Sequence, residues 1–112
     1  MTTAKLNVGG DNIRCKYSGV VLLVDDSDHY RHVIQRQLVA YGYDVLLAAN
    51  GVEAIKMVNY RRVDLVLLDI EMPGLDGFSV LAQFRAFEKS QDLPVIMLTG
   101  RSDAADVIRA LR

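Results

Sequence analysis

The sequence predicts an α/β fold built on one parallel sheet, and three observations carry the prediction. Four short runs rich in Val and Leu alternate with longer stretches whose apolar residues recur at helical spacing. Each pair of consecutive runs is separated by enough chain for a crossover helix rather than a tight hairpin. The third run, Leu65 to Asp69, is apolar until it breaks at an acid followed by Pro73 and Gly74, as a strand buried on both faces would. Alternation of this kind implies right-handed crossovers with helices on both faces, so that every strand's C-terminal tip lies on one edge.

Taken in order, residues 1–18 mix polar residues and scattered apolar ones (Leu6, Val8, Ile13, Tyr17) without a sustained period, and read as a flexible leader. Gly19 opens the first strand, Val20 to Val24, whose tip carries Asp25 and Asp26. Ser27 can cap the helix that follows, in which Tyr30, Val33, Ile34, Leu38 and Tyr41 share a face and Arg31, Gln35 and Arg36 lie elsewhere; Gly42 ends it. Tyr43 to Ala49 is the second strand. Asn50 with Glu53 has the spacing of a capping box, and Val52, Ile55 and Val58 line a helix to about Tyr60, where Arg61 and Arg62 read as helix-end charges. Val63 to Asp69 is the third strand, and Asp76 can cap a helix with Val80, Leu81, Phe84 and Phe87 inward. Leu93 to Thr99 makes the fourth strand, with Pro94 near its start, and Ser102 can cap a last helix carrying Ala104, Val107, Ile108 and Leu111.

At 112 residues, 51% hydrophobic and 24% charged, the chain has the length and composition of one globular domain. A net charge of −1 gives no electrostatic footprint for nucleic acid or an anionic membrane. Cys15 is the single cysteine, which excludes an intrachain disulfide and a cysteine-held zinc. No apolar stretch spans a bilayer, and the reading is a cytoplasmic protein.

The strand tips supply the chemistry. A lone strand-end acid is ordinarily just solvated, but neighbouring first, third and fourth strands would gather Asp25, Asp26, Asp69, Thr99 and Gly100 into one pocket. Ionised carboxylates about 4 Å apart repel by roughly 1 kcal/mol in water and roughly 4 kcal/mol at a surface-like dielectric. A hard cation that keeps several waters, such as Mg²⁺, removes that cost. Asp69 is then the candidate nucleophile toward a phosphoryl group, giving an acyl phosphate, with the Thr99 hydroxyl and a backbone N–H near Gly100 as donors to its oxygens.

Three motifs together, Asp25-Asp26-Ser27 after a strand, the stretch Leu67 to Gly77 and the stretch Pro94 to Gly100, resemble the response-regulator receiver domain of two-component signalling, from about Gly19 to Arg112. The resemblance implies a flavodoxin-like (CheY-like) doubly wound parallel sheet, and the organisation is then a leader at 1–18 and a receiver at 19–112. It implies Asp69 as phosphoacceptor, Asp26 as a direct Mg²⁺ ligand, Asp25 holding the ion mainly through water, the Glu71 backbone carbonyl as a further ligand and Thr99 as the switch hydroxyl. It also implies a sensor histidine kinase or histidine phosphotransfer protein as donor and a downstream effector as partner, with no direct nucleic acid binding. Such a chain is not an enzyme acting on an external substrate; it catalyses only its own phosphorylation and dephosphorylation.

One departure accompanies the match. The family continues into a fifth strand, whose tip carries a lysine, and a fifth helix; Lys89 is the last lysine of this sequence and precedes the fourth strand. The expected strand order is therefore 2-1-3-4 with the fifth strand and helix missing. The expected consequence is an uncovered apolar sheet face and an edge at the fourth strand, open to a homo-oligomer, to the leader folding back, or to the rest of a longer protein. Two alternatives stand beside this reading. One is a pseudo-receiver, a protein-interaction module that works without phosphorylation. The other is a phosphatase of the haloacid-dehalogenase kind, whose D-x-D pattern Asp26 and Asp28 match in spacing. His29 and His32 read as helix-surface residues, Met57, Met72 and Met97 as packing or loop residues, and Glu71 with Arg101 as an ion pair at the pocket mouth.

Overall fold

In the computed structural model, residues 19–72, 74 and 76–98 are described. They form β1 (Val20–Val24), α1 (Asp28–Ala40), β2 (Asp44–Ala48), α2 (Gly51–Tyr60), β3 (Leu65–Asp69), α3 (Gly77–Ala86) and β4 (Val95–Leu98). The sheet runs β2-β1-β3-β4 with every pairing parallel, the order expected from the sequence. The expected leader, Thr99, Gly100, Arg101 and the expected last helix lie outside the described residues.

Period-two alternation splits each strand between two cores. Leu22, Val24, Val66 and Leu68 pack with Ala54 and Val58 of α2 and with Val80 and Phe84 of α3. Their neighbours Val21, Leu23 and Leu67, with Leu98 of β4, pack on the other face against Ile34 and Leu38 of α1. β1 and the apolar part of β3 are thus buried on both faces, which is why they read as unbroken Val/Leu runs. β4 is only half-buried over Val95 to Met97 and, among the described residues, pairs on one side alone.

Capping proceeds as the sequence indicates. Ser27, Asn50 and Asp76 accept backbone N–H groups of Tyr30, Glu53 and Ser79, respectively. The Glu53 carboxylate reaches back to the Ala49 N–H, one residue before the cap.

Three helix faces differ from expectation. Arg31, expected outside the apolar face, is buried with Ile34 and Leu38. In α2 the buried residues are Gly51, Ala54 and Val58, whereas Val52 is 57% exposed; small side chains let the helix lie close to the sheet and turn Val52 outward. In α3 the period breaks at Phe87, which takes an extended cap conformation and is 46% exposed. β3 starts at Leu65 rather than Val63 because Asp64 is engaged at the sheet end, its carboxylate accepting the Val20 N–H and its own N–H bonding the Val20 carbonyl.

Candidate functional site

The pairing register builds the site. Val24 lies opposite Leu68, so the next residue of each strand, Asp25 and Asp69, emerges side by side at the C-terminal edge. Asp26 follows on the β1–α1 turn. One carboxylate oxygen from each of Asp25, Asp26 and Asp69 lies within 4.8 Å of the others. Asp25 and Asp69 are each 1% exposed, while Asp26 is open to solvent. Strand order reverses between β1 and β3, so the acids stand at the topological switch point, where open α/β sheets place their ligands.

Each buried carboxylate is oriented by its own backbone. Asp25 Oδ1 accepts the Ser27 N–H at 2.8 Å, and Asp69 Oδ1 accepts the Glu71 N–H at 3.0 Å. Asp69 also pairs with Leu98, which continues the sheet to the residue before Thr99. The donor set fits a hard divalent cation: three carboxylates converge, two are shielded from water and one faces it.

Two residues of this site are not apparent from motif reading. Arg31 reaches back from α1, its guanidinium donating to the Asp25 carbonyl oxygen and pairing with the Asp28 carboxylate. The link anchors the turn that carries both acids. Gly77, the first residue of α3, sits so close to the Asp69 peptide that a Cβ there would lie 2.5 Å from the Asp69 carbonyl oxygen and 2.8 Å from Ile70 Cα. Its N–H donates to the Ile70 carbonyl at 3.0 Å, which seats α3 directly on the turn leaving Asp69. A buried Arg near the start of a helix has no sequence signature apart from its spacing to Ile34 and Leu38, and Gly77, though it closes the Leu67 to Gly77 stretch, is not marked there as a point of close approach.

Of the remaining candidates, Glu71 is exposed and touches the site through its N–H. Thr99, Gly100 and Arg101 lie outside the described residues. Asp28 does not join the acidic cluster and is instead held by Arg31, which departs from the D-x-D arrangement of the phosphatase reading. His29 and His32 are on the surface, with His32 Nδ1 2.7 Å from the Asp28 carbonyl oxygen. Met72 is buried in the α2–α3 core, with Met57 and Met97 packed against it. No helix of the described residues is long and apolar enough to cross a membrane.

Fold and site together define a doubly wound α/β protein with a cation-ready acidic pocket at its switch point. The chain belongs to the response regulator receiver domain family, whose model matches residues 21–112. It is 39% identical over 101 residues to a probable transcriptional regulator, ycf27, of Cyanidium caldarium, covering 90% of this chain and 39% of the relative. The chain spans about two-fifths of the length of the curated relatives it matches. Among solved structures, the receiver domain of the Pseudomonas aeruginosa sensor histidine kinase PA1611, with magnesium coordinated in its active site cleft, superposes with a TM-score of 0.75 at 28% identity, covering 84% of this chain and 94% of that one. The Thermotoga maritima response regulator TrrA, in complex with Mg²⁺ and BeF, gives 0.68 at 40% identity, covering 72% and 69%.

Proposed function

We propose that this chain is a phosphoacceptor receiver: Asp69 takes a phosphoryl group from a histidine kinase or histidine phosphotransfer protein, and the modified domain changes its contacts with an effector. The observation that carries the reading is the convergence of Asp25, Asp26 and Asp69 within 4.8 Å at the strand tips. In the reaction an Asp69 carboxylate oxygen attacks phosphorus and the bond from phosphorus to the donor breaks. The donor group leaves with the electron pair, to be protonated there, and an acyl phosphate remains on Asp69. Asp25, Asp26, Asp69 and the Glu71 carbonyl would hold Mg²⁺, which when bound supplies neutralisation of charge on the transferring oxygens.

The protein's own residues orient and shield. The Glu71 N–H fixes the Asp69 carboxylate, the Ser27 N–H and Arg31 fix Asp25 and its turn, and burial on both faces of β3 keeps bulk water from one side of the nucleophile. Thr99 and the Gly100 N–H are the proposed donors to the phosphoryl oxygens. The protein turns over no external substrate and acts in the cytoplasm through protein partners, without binding nucleic acid itself.

The test is intact-mass spectrometry after incubation with an acyl phosphate donor, with and without Mg²⁺, beside Asp69→Asn. A gain of one phosphoryl group that needs both Mg²⁺ and Asp69 is expected. Mg²⁺ binding by the folded chain with no covalent change would overturn the reading in favour of the pseudo-receiver.

A further inference from the structure

The edge of the sheet opposite the acidic pocket carries a second concavity that phosphoryl chemistry does not use. A cleft of about 450 Å³ lies where α2 ends and where β3 and β4 begin, lined by Val58, Tyr60, Arg61, Arg62, Val63, Lys89 and Leu93. Its floor is apolar: Val58 is buried, and Val63 and Leu93 are half-buried. Its rim carries three cations and an aromatic ring, and no carboxylate lines it.

The charges are only partly answered nearby. Lys89 donates to the Asn59 carbonyl oxygen, and Arg62 lies 3.4 Å from Asp64. Asp64 is already engaged by the Val20 N–H, and among the described residues the Arg61 guanidinium meets no carboxylate. Cations beyond the end of α2 complement its dipole, yet that accounts neither for the apolar floor nor for Tyr60, which stays 83% exposed beside it.

The composition argues for a protein ligand. A small-molecule pocket carries fixed, partly buried polar groups that orient its ligand. Here Tyr60, Arg61, Arg62 and Lys89 are all exposed. An apolar centre with Tyr and Arg around it is the anatomy of a docking surface, and the unanswered positive charge sets the sign of what docks.

We propose that this cleft docks an acidic segment of a partner protein, one apolar side chain seated over Val58, Val63 and Leu93 and its carboxylates facing Arg61, Arg62 and Lys89. The cleft and Asp69 lie at opposite ends of β3, and the strand between them is itself roughly 13 Å long by strand rise. Docking therefore leaves the acidic pocket open and does not depend on the state of Asp69.

The experiment is a nuclear magnetic resonance titration of the ¹⁵N-labelled chain with a synthetic peptide of Asp and Glu around one central Leu. Saturable shifts centred on residues 58–63 and 89–93 are expected, with affinity about tenfold weaker for the Arg61→Gln/Arg62→Gln/Lys89→Gln variant. Replacing the peptide's Leu by Ser should weaken binding comparably, and Asp69→Asn should bind as the parent does. Because Lys89 also ties the end of α2, the Arg61→Gln/Arg62→Gln double variant serves if the triple one fails to fold. Equal affinity for parent and variant, indifference to the Leu, dependence on Asp69, or tighter saturation of the same residues by adenosine triphosphate would each overturn the proposal.

Discussion

Arg31 is buried, yet its two partners differ in what they contribute. Its bond to the Asp25 carbonyl is buried, whereas the Asp28 carboxylate it also holds is largely solvated. A hydrogen bond from a charged donor in a buried setting contributes about 2 kcal/mol, an exposed ion pair about 0–1. Arg31→Met should therefore lower stability by about 2 kcal/mol in urea unfolding and weaken Mg²⁺ binding, while Asp28→Ala should cost less than about 1 kcal/mol. Gly77 is constrained by contact rather than by chain flexibility. A methyl group there runs into the Asp69–Ile70 peptide, so Gly77→Ala must displace either α3 or that peptide. A loss of about 1–3 kcal/mol, with slower phosphorylation of Asp69, is the expected result by denaturant titration and mass spectrometry.

Among the described residues, each helix begins on a side chain that accepts one of its own first-turn amides. The Asp76 carboxylate holds the Ser79 N–H at 2.9 Å on an exposed surface, so Asp76→Ala should cost about 1 kcal/mol and speed hydrogen exchange at the start of α3. These starts are legible in the sequence because Ser27, Asn50 and Asp76 are cap formers set just before apolar periods. The β1 and β3 cores are legible for a related reason, since burial on both faces demands an unbroken apolar run. The rest is hidden by geometry that hydrophobicity does not encode. Val52 is more apolar than Ala54, but closeness to the sheet selects the smaller residue, and Phe87 continues a helical pattern one residue after the helix has stopped. At the acidic pocket, Asp25, Asp26 and Asp69 follow from strand ends and parallel order. Arg31 and Gly77 need the three-dimensional approach of α1 and α3 to those ends.

Over the whole molecule, the acidic pocket is an electrostatic cost carried on a well-packed sheet. Three carboxylates at this spacing repel one another in the folded chain, whereas the unfolded chain lets them separate. Mg²⁺ at about a hundred times its dissociation constant should add about 2.7 kcal/mol, seen as a raised calorimetric midpoint. In metal-free buffer Asp26→Asn should raise the midpoint by itself and blunt the further rise with Mg²⁺. The placement of β1 between β2 and β3 bears on how the chain comes to be folded at all. Val20 meets β2 at Asp44, but the β3 side of the same residue is closed by Asp64, 44 residues along the chain. At a synthesis rate of roughly 5–20 residues per second, several seconds separate the emergence of β1 from that of the strand that covers its second edge. Until β3 follows, a nascent chain can pair β1 on its β2 edge alone, and the apolar edge that β3 later covers stays open.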